Sequence, residues 1–417
     1  MSNELQGLTI AQPDPTRRHL LQMLPALKRR ADSGAPLRSA QIAHHLGKDM
    51  TVTRLGFGHG DTPADDFIPV GHERQFTIGN LVRGFVGQTA VSLLNYTSAE
   101  MFRTLAGLLN QNRFDAIQLE SVHLLPYLDL LRSVRPLPLI VADWHYIDSE
   151  FMARFADHTA NIAKRLYARR TSVLLSRAEK RLAVGCSMHL VVCEREQRIV
   201  ESLLSNTAVH VIPNGVDCSE YSRPSILAAQ HIPDSASRIV FVGSMDYRAN
   251  ADAVVSFCHE IWPTITQELP DLIFTIVGRN PGSAVQRLRR FRNVEVTGSV
   301  DDVHDYYQNA LAAVVPLRFG SGTRIKILEA MAASVPVISS SLGAEGLSAT
   351  PGVHFIQADT PREFCSAILE VSRNAMLRQR LAREGHCLVE REYDWSVIGA
   401  RLRSLYEQAL ESRNSFR

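Results

Sequence analysis

The sequence predicts an α/β protein built from two doubly wound parallel sheets, and three observations lead to this fold class. Both halves of the chain repeat one order of segments, in which a short apolar strand is followed by a polar loop and an amphipathic helix. A Pro-Asn-Gly turn at 213–215 separates the two halves. The length of 417 residues also exceeds what one hydrophobic core usually supports. We therefore expect two Rossmann-like domains.

The domain boundaries follow from this rhythm. We expect a flexible tail over 1–17, an N-terminal Rossmann-like domain over 18–212, a C-terminal Rossmann-like domain over 213–394, and a C-terminal helix over 395–417. Packing of that helix back on the N-terminal domain is part of the hypothesis.

Apolar runs predict the positions of the individual strands and helices. In the first half they predict strands at 19–24, 51–57, 116–119, 137–142, 189–192 and 210–212, with a helix at 39–46. In the second half they predict strands at 237–242, 272–277, 294–296, 312–315 and 335–338, with helices at 250–267 and 395–412. Ligands of such sheets bind beyond the carboxyl ends of the strands, so the loops after these strands are the ones to inspect.

Composition excludes several classes of protein. The formal net charge is +2, so no global field recruits nucleic acid. The sequence contains no apolar stretch long enough to span a membrane, and its first residues lack the apolar core of a signal peptide. None of the six cysteines lies in a CxxC spacing. We expect a cytoplasmic protein that binds no nucleic acid and holds no metal.

The most informative segment runs from 314 to 339, where a strand, a glycine-rich turn, a helix and a second strand follow one another. The turn is Gly320-Ser321-Gly322-Thr323, and Arg324, Lys326 and Glu329 follow it. Backbone N–H groups at such a turn, together with the helix dipole, favour a phosphate. Helical spacing places Lys326 and Glu329 on one face, where they would hold phosphate and ribose. A capped surface helix with a Lys–Glu pair remains the alternative interpretation.

This segment resembles the donor site of retaining family-4 glycosyltransferases, which have the GT-B fold. The similarity is greatest to bacterial exopolysaccharide sugar transferases and is carried by GSGTRIKILEAMA, PVISSSLGAEGL and FVGSMDYRANADAV. It extends from about residue 20 to about residue 407 and is strongest over 211–347. The resemblance implies transfer of a sugar, a hexose by expectation, from a nucleotide diphosphate sugar in a cleft between two domains.

The resemblance also implies roles for residues outside the glycine turn. His145, after the strand IVADW, would face the donor sugar, and Gly34 would approach the diphosphate. Val300 would contact the base through its backbone, while Arg279 is either a donor contact or a solvated loop residue. The turn in VIPNGVD would act as a hinge between the domains.

Two departures from the family pattern concern the sugar and the phosphates. Ser321 stands where many relatives carry a glutamate that touches the sugar, so Glu345 in GAEGL is a candidate replacement. The stretch from Gly243 to Asn250 lacks the usual basic pair, which leaves Arg324 and Lys326 as the catalytic cations and Arg248 as a further candidate. No DxD triplet occurs, so the sequence predicts transfer without a metal or other cofactor.

The acceptor and the alternatives stay open at this point. A glycan or a lipid-linked sugar is the expected acceptor, and the basic segment at 155–182 is either a membrane-contacting surface for anionic lipid at the inner face or a solvated helix face. A sugar-nucleotide epimerase on the same fold and a non-catalytic nucleotide-sugar binding protein are the competing functions.

Overall fold

The computed structural model of the chain describes residues 14, 16–26, 34–58, 67–71, 78–204, 208–221, 238–308, 310–320 and 325–414. The chain separates into two compact units. The first unit comprises Met1–Pro213 with Gly399–Arg417, and the second comprises Asn214–Ile398. Most of the predicted tail lies outside the described residues.

The first unit contains a parallel sheet of seven strands in the order β3-β2-β1-β4-β5-β6-β7. Its strands are β1 Arg18–Leu24, β2 Met50–Phe57, β3 Phe67–Val70, β4 Ala116–Glu120, β5 Leu139–Trp144, β6 Met188–Val191 and β7 Ala208–Val211. Its helices are α1 Gly34–Leu46, α2 Ile78–Val86, α3 Val91–Asn95, α4 Ala99–Gln111, α5 Leu128–Ser133, α6 Asp148–His158, α7 Ile162–Gly185 and α8 Glu194–Ser202. A 3₁₀ helix covers Val122–Tyr127.

The second unit contains a parallel sheet of six strands in the order β10-β9-β8-β11-β12-β13. Its strands are β8 Arg238–Val242, β9 Ile273–Val277, β10 Val294–Gly298, β11 Ala312–Val315, β12 Val337–Ser339 and β13 Ile356–Gln357. Its helices are α9 Cys218–Tyr221, α10 Arg248–Glu260, α11 Trp262–Glu268, α12 Ser283–Gln286, α13 His304–Gln308, α14 Ile325–Ala332, α15 Pro361–Arg373 and α16 Ala375–Glu392. A 3₁₀ helix covers Arg287–Arg290, and α17 Trp395–Asn414 ends the described chain.

Burial explains why the apolar runs form strands. Residues of β4, β5, β6 and β11 are buried throughout, as expected for parallel strands covered by helices on both faces. The prediction of two doubly wound parallel sheets is confirmed. The strand order reverses between β1 and β4 in the first unit and between β8 and β11 in the second, which is where such sheets bind ligands.

Three local predictions were wrong or incomplete. The single helix expected over 250–267 is two helices, because Pro263 near the start of α11 has no N–H to continue the hydrogen bonds of α10. The helix expected at 39–46 begins earlier, at Gly34, which has a φ of 47° that suits glycine. The short strands β3 and β13 were not predicted.

The C-terminal helix α17 contributes to both units, since its residues from Gly399 onward belong to the first. Within that unit the Tyr406 hydroxyl bonds the Gln118 side chain, Arg403 pairs with Asp49 at 3.0 Å, and Arg413 donates to the Leu137 carbonyl at 2.8 Å. Among the described helices, we find none that is both long enough and apolar enough to cross a membrane.

Candidate functional site

A cluster of buried charged side chains lies at the carboxyl edge of the first unit's sheet. Parallel pairing sets Glu120, the last residue of β4, beside Asp143 of β5, and His145 follows β5 directly. The His145 Nε2 atom lies 2.7 Å from Glu120 Oε2 and 3.5 Å from Asp143 Oδ2. Both carboxylates are fully buried and the histidine side chain is 9% exposed. The ring therefore touches two acidic groups away from water.

Arg38 of α1 neutralises one of these carboxylates. Its Nε atom donates to Asp143 Oδ2 at 2.9 Å and its Nη2 atom to Oδ1 at 2.7 Å, which is a bidentate pair. Its Nη1 atom donates to the carbonyls of Ile212 at 2.7 Å and Pro213 at 3.1 Å. The guanidinium is 1% exposed, so these acceptors replace the water that it loses on burial.

Neutral donors surround Glu120. Gln22 and Gln118 each donate a side-chain N–H to its Oε1 atom at 2.6 Å, and the Ser39 hydroxyl donates to its Oε2 atom at 2.7 Å. Glu120, Asp143 and His145 are close enough together to be compared with a metal site. The donor set does not fit a dication, because the Arg38 guanidinium and three N–H or O–H donors already occupy the carboxylate oxygens.

The surroundings raise the pKa of His145 and lower that of Asp143. Burial opposes the charged form of His145, but the hydrogen bonds that its ring donates to Asp143 and Glu120 outweigh this effect and raise its pKa to about 9. Burial also raises the pKa of Asp143, yet Arg38 and His145 together hold it below the ordinary value. Burial raises the pKa values of Asp148 and Glu196 to about 7. The protonated form of His145 is thus the favoured one at neutral pH.

Lys326 of α14 lies at the carboxyl edge of the second unit's sheet. Its ammonium group donates to the Asn250 side-chain oxygen and lies 4.4 Å from the centre of the Phe241 ring. Asn250 in turn donates to the Ser244 carbonyl at 2.8 Å. A Cβ atom on Gly243 would come within 3.0 Å of the Lys326 ammonium and 2.7 Å of the Asn250 amide nitrogen. Glycine at 243 is therefore what allows the lysine to approach the loop after β8.

Glu329 lies one turn further along α14, beside Tyr307. The Tyr307 hydroxyl is 3.4 Å from Glu329 Oε2 and 3.3 Å from the Lys326 carbonyl. Burial raises the pKa of Glu329, while Lys326, Tyr307 and His304 oppose that rise. The structure thus places Lys326 and Glu329 on one side of the helix, among groups at the ends of several parallel strands.

The loops after β8 and β9 pack directly on each other. A Cβ atom on Gly278 would lie 1.9 Å from the Gly243 carbonyl oxygen, so only glycine fits there. Arg279 donates through Nε to the Ser244 hydroxyl at 3.2 Å and approaches Asp246 at 3.8 Å. This predicted donor contact therefore lies in the same loop pair as Gly243.

The remaining predicted residues lie on several elements of both units. Arg248 is exposed at the first position of α10, and Val300 packs against the hydrophobic core of the second unit. Glu345 is half-buried in the loop after β12. Gly320 is buried with a φ of 130°. Gly34 and His145 belong to the first unit. Ser321, Gly322, Thr323 and Arg324, on which the phosphate prediction rests, lie outside the described residues.

Sequence reasoning missed Arg38, Glu120, Asp143 and Asn250. Two of them carried a usable signal, because Glu120 and Asp143 are charged residues inside largely apolar strands, AIQLE and LIVADW. Charged residues are rarely fully buried unless they are paired, so each implied a partner. Arg38 and Asn250 lie on helices and gave no such signal.

The Arg38–Asp143 pair should be essential for the stability of the first unit. Asp143→Asn leaves a guanidinium buried without its counter-charge, so we expect a loss of about 3–5 kcal/mol in the free energy of unfolding. Asp129→Asn is the matched control, because Asp129 forms a 3.8 Å pair with Arg181 in which both side chains are largely exposed and its loss should cost at most about 1 kcal/mol. Hydrogen exchange of the β4 and β5 amides in urea measures the free energy of unfolding of both variants. Equal losses in the two variants would contradict the structural role of the Arg38–Asp143 pair.

Comparisons with known proteins find similarity to glycosyltransferases. Residues 236–374 match the model of the family described as "Glycosyl transferases group 1". Phosphatidyl-myo-inositol mannosyltransferase from Mycobacterium tuberculosis is 28% identical over 228 residues, which cover 52% of this chain. The match spans 58% of the length of that relative.

Solved structures resemble the chain over nearly its whole length. Sucrose-phosphate synthase from Thermosynechococcus elongatus aligns with a TM-score of 0.73 and 16% identity, covering 95% of this chain and 100% of that one. Anabaena HepE in complex with UDP and glucose aligns with a TM-score of 0.66 and 14% identity, covering 93% and 99%. At these identities the likeness establishes the fold alone. The chain therefore has the GT-B fold of two Rossmann-like parallel-sheet domains, and residues 236–374 of its second unit match the glycosyl transferases group 1 family.

Proposed function

We propose that the chain is a retaining glycosyltransferase that moves a hexose from a nucleotide diphosphate sugar to a glycan or lipid-linked acceptor. The observation that carries the proposal is the arrangement of Lys326, Asn250 and Gly243 at the carboxyl edge of the second sheet. This edge belongs to the region that matches glycosyl transferases group 1. A lysine held by Asn250 and the Phe241 ring, beside a glycine loop that lets it come close, offers a cation to a diphosphate at this edge.

The chemistry of transfer explains the role of each group. Breaking the bond between sugar and diphosphate leaves negative charge on the phosphate oxygen, and an oriented cation stabilises that charge without reorganising. Lys326 supplies it, with Arg324 as the second cation by sequence position. Glu329, one turn along α14, accepts the two ribose hydroxyls. The names of two similar proteins fit a nucleotide-sugar donor, since one is a mannosyltransferase and the other is in complex with UDP and glucose.

The finer parts of the proposal rest on the sequence pattern. Val300, Gly34 and His145 keep the donor-site roles that the family resemblance implies, and Arg279 and Glu345 remain candidate donor contacts. We propose transfer without a metal ion and a place in cytoplasmic exopolysaccharide synthesis. Turnover that survives EDTA supports the first point, and an unchanged anomeric configuration in the product, read by NMR, supports retention.

Gly243→Ala tests the diphosphate position. The new Cβ atom would displace the ends of the Lys326 and Asn250 side chains, so we expect roughly tenfold weaker binding of the donor in an unchanged fold. The donor is first chosen by thermal-shift screening of UDP-, GDP-, ADP- and dTDP-sugars, since binding raises stability. Gly282→Ala is the control, because open space surrounds a Cβ atom at Gly282. Full affinity in folded Gly243→Ala would argue against a diphosphate beside Gly243.

Lys326→Ala tests catalysis. Loss of the oriented cation should lower kcat by about 10²-fold or more, measured as release of nucleoside diphosphate. Arg373→Ala is the control, because Arg373 is exposed on α15 of the same unit and pairs with Glu268. Unchanged turnover in a folded Lys326 variant would remove the lysine from the mechanism.

We also propose that helix α7 seats the protein on an anionic membrane surface. Several of its exposed residues have apolar or basic side chains that helical spacing places on one face. They are Ile162, Leu166, Val173 and Val184, with Arg169, Arg170, Arg177, Lys180 and Arg181. The acidic residue of the helix, Glu179, is buried and accepts from Ser149 on the opposite side. An interfacial helix has this composition, and a solvated face has no need of the exposed aliphatic residues.

Charge reversal tests the membrane proposal. Replacing Arg169 and Arg177 together by Glu should abolish flotation with vesicles that contain anionic lipid, because each basic residue contributes about 1 kcal/mol near such a surface. Replacing Arg383 and Arg391 of α16 by Glu changes the net charge equally, at residues that are also exposed. If both double variants float like the unmodified protein, or if binding is insensitive to salt, α7 does not contact the membrane.

A further inference from the structure

We propose that Glu120 is a positioning residue that keeps the His145 ring doubly protonated at the carboxyl edge of the first unit's sheet. The inference deepens the proposed function, because an imidazolium ring donates hydrogen bonds and attracts anionic groups but cannot accept a proton. His145 would then act as a cation and hydrogen-bond donor rather than as a general base.

The argument begins with the geometry of the two acidic neighbours. The His145 Nε2 atom contacts oxygens of Glu120 and Asp143, and ionised carboxylates only accept hydrogen bonds. Nε2 must therefore carry a proton to bond either of them. The Asp143 carboxylate already has a counter-charge in the bidentate Arg38 pair. Glu120, by contrast, receives donors from the neutral side chains of Gln22, Gln118 and Ser39.

Charge balance then favours the cationic ring. Arg38 with Asp143 sums to zero, so a neutral His145 would leave the Glu120 charge buried beside uncharged donors, which is costly. Protonating the ring neutralises the group. The elevated pKa of His145, about 9, has the same origin, because hydrogen bonds and charges of Asp143 and Glu120 overcome the effect of burial.

Two other carboxyl groups interact with the ring, and their negative charge, where present, also favours the protonated ring. Asp148 of α6 and Glu196 of α8 each interact with His145, and burial raises the pKa of each to about 7. His123 approaches Asp148 at 3.8 Å. Above pH 7 both carboxyls lose their protons and add negative charge near the ring. Among the described carboxylates of this cluster, Glu120 is the one whose nearest charged partner is His145.

Titration of the histidines in the full chain tests the proposal without any substrate. The protein is labelled at histidine, and the His145 signal is assigned by its loss in His145→Gln. Protons on both ring nitrogens at pH 7.5 and a titration midpoint near 9 are expected for the unmodified chain. Glu120→Gln should lower the midpoint by at least one pH unit, Glu120→Asp should restore part of it, and Glu201→Gln, at an exposed residue of α8, should leave it unchanged.

Stability against pH gives a second readout with a defined sign. A folded-state pKa of about 9 against an ordinary 6.5 means that His145 stabilises the fold fully below pH 6.5 and loses this contribution as pH rises through 9. The decline between pH 7 and 9 should be shallower in Glu120→Gln. A His145 signal that titrates near 6.5 in the unmodified chain, or a midpoint unchanged in folded Glu120→Gln, would overturn the proposal. Neither result depends on transfer activity, which Lys326→Ala tests separately.

Discussion

Burial of the Arg38 guanidinium governs the arrangement of the first unit's carboxyl edge. A guanidinium removed from water needs a counter-charge and acceptors for its other N–H groups, or the fold loses several kcal/mol. Asp143 and the carbonyls of Ile212 and Pro213 meet that need. These contacts attach α1 to the end of β5 and to the last residues of the first unit before the second begins. Because Asp143 pairs with Arg38, Glu120 is the acidic group that lies closest to His145.

The second unit orders its carboxyl edge in a different way. There the loops after β8 and β9 approach so closely that side chains at Gly243 and Gly278 would overlap their neighbours. Lysine is a flexible point charge, and its position depends on what surrounds it. Asn250 and the Phe241 ring hold Lys326 from two sides. Close backbone packing and one oriented lysine thus order this edge, whereas the first unit uses a buried ion pair.

Local patterns sufficed for much of this structure. Apolar runs located most strands to within about two residues, and the spacing of Lys326 and Glu329 fixed their shared side, because helix geometry relates residues three positions apart. The contacts of Glu120 with His145 depend instead on the register of β4 against β5, which links distant parts of the chain. Arg38 and Asp143 are 105 positions apart, and a pair so distant leaves no periodic signal in one sequence. Pro263 was a local signal, and the prediction of one continuous helix overlooked it.

The two units therefore place their cations, Arg38 and Lys326, in different surroundings. In the first unit, Arg38 is matched with Asp143 inside the fold, so its charge serves structure and has little left to offer a ligand. In the second unit, the Asn250 side-chain oxygen and the Phe241 ring contact the Lys326 ammonium group, and the charge of Lys326 also opposes the rise in the pKa of the buried Glu329. A cation held among such groups interacts most strongly with an anion that arrives where water is excluded. Under the proposed function, the departing diphosphate of a sugar nucleotide is that anion, and the glycine at 243 lets Lys326 and Asn250 pack against the loop beside which we propose that it binds.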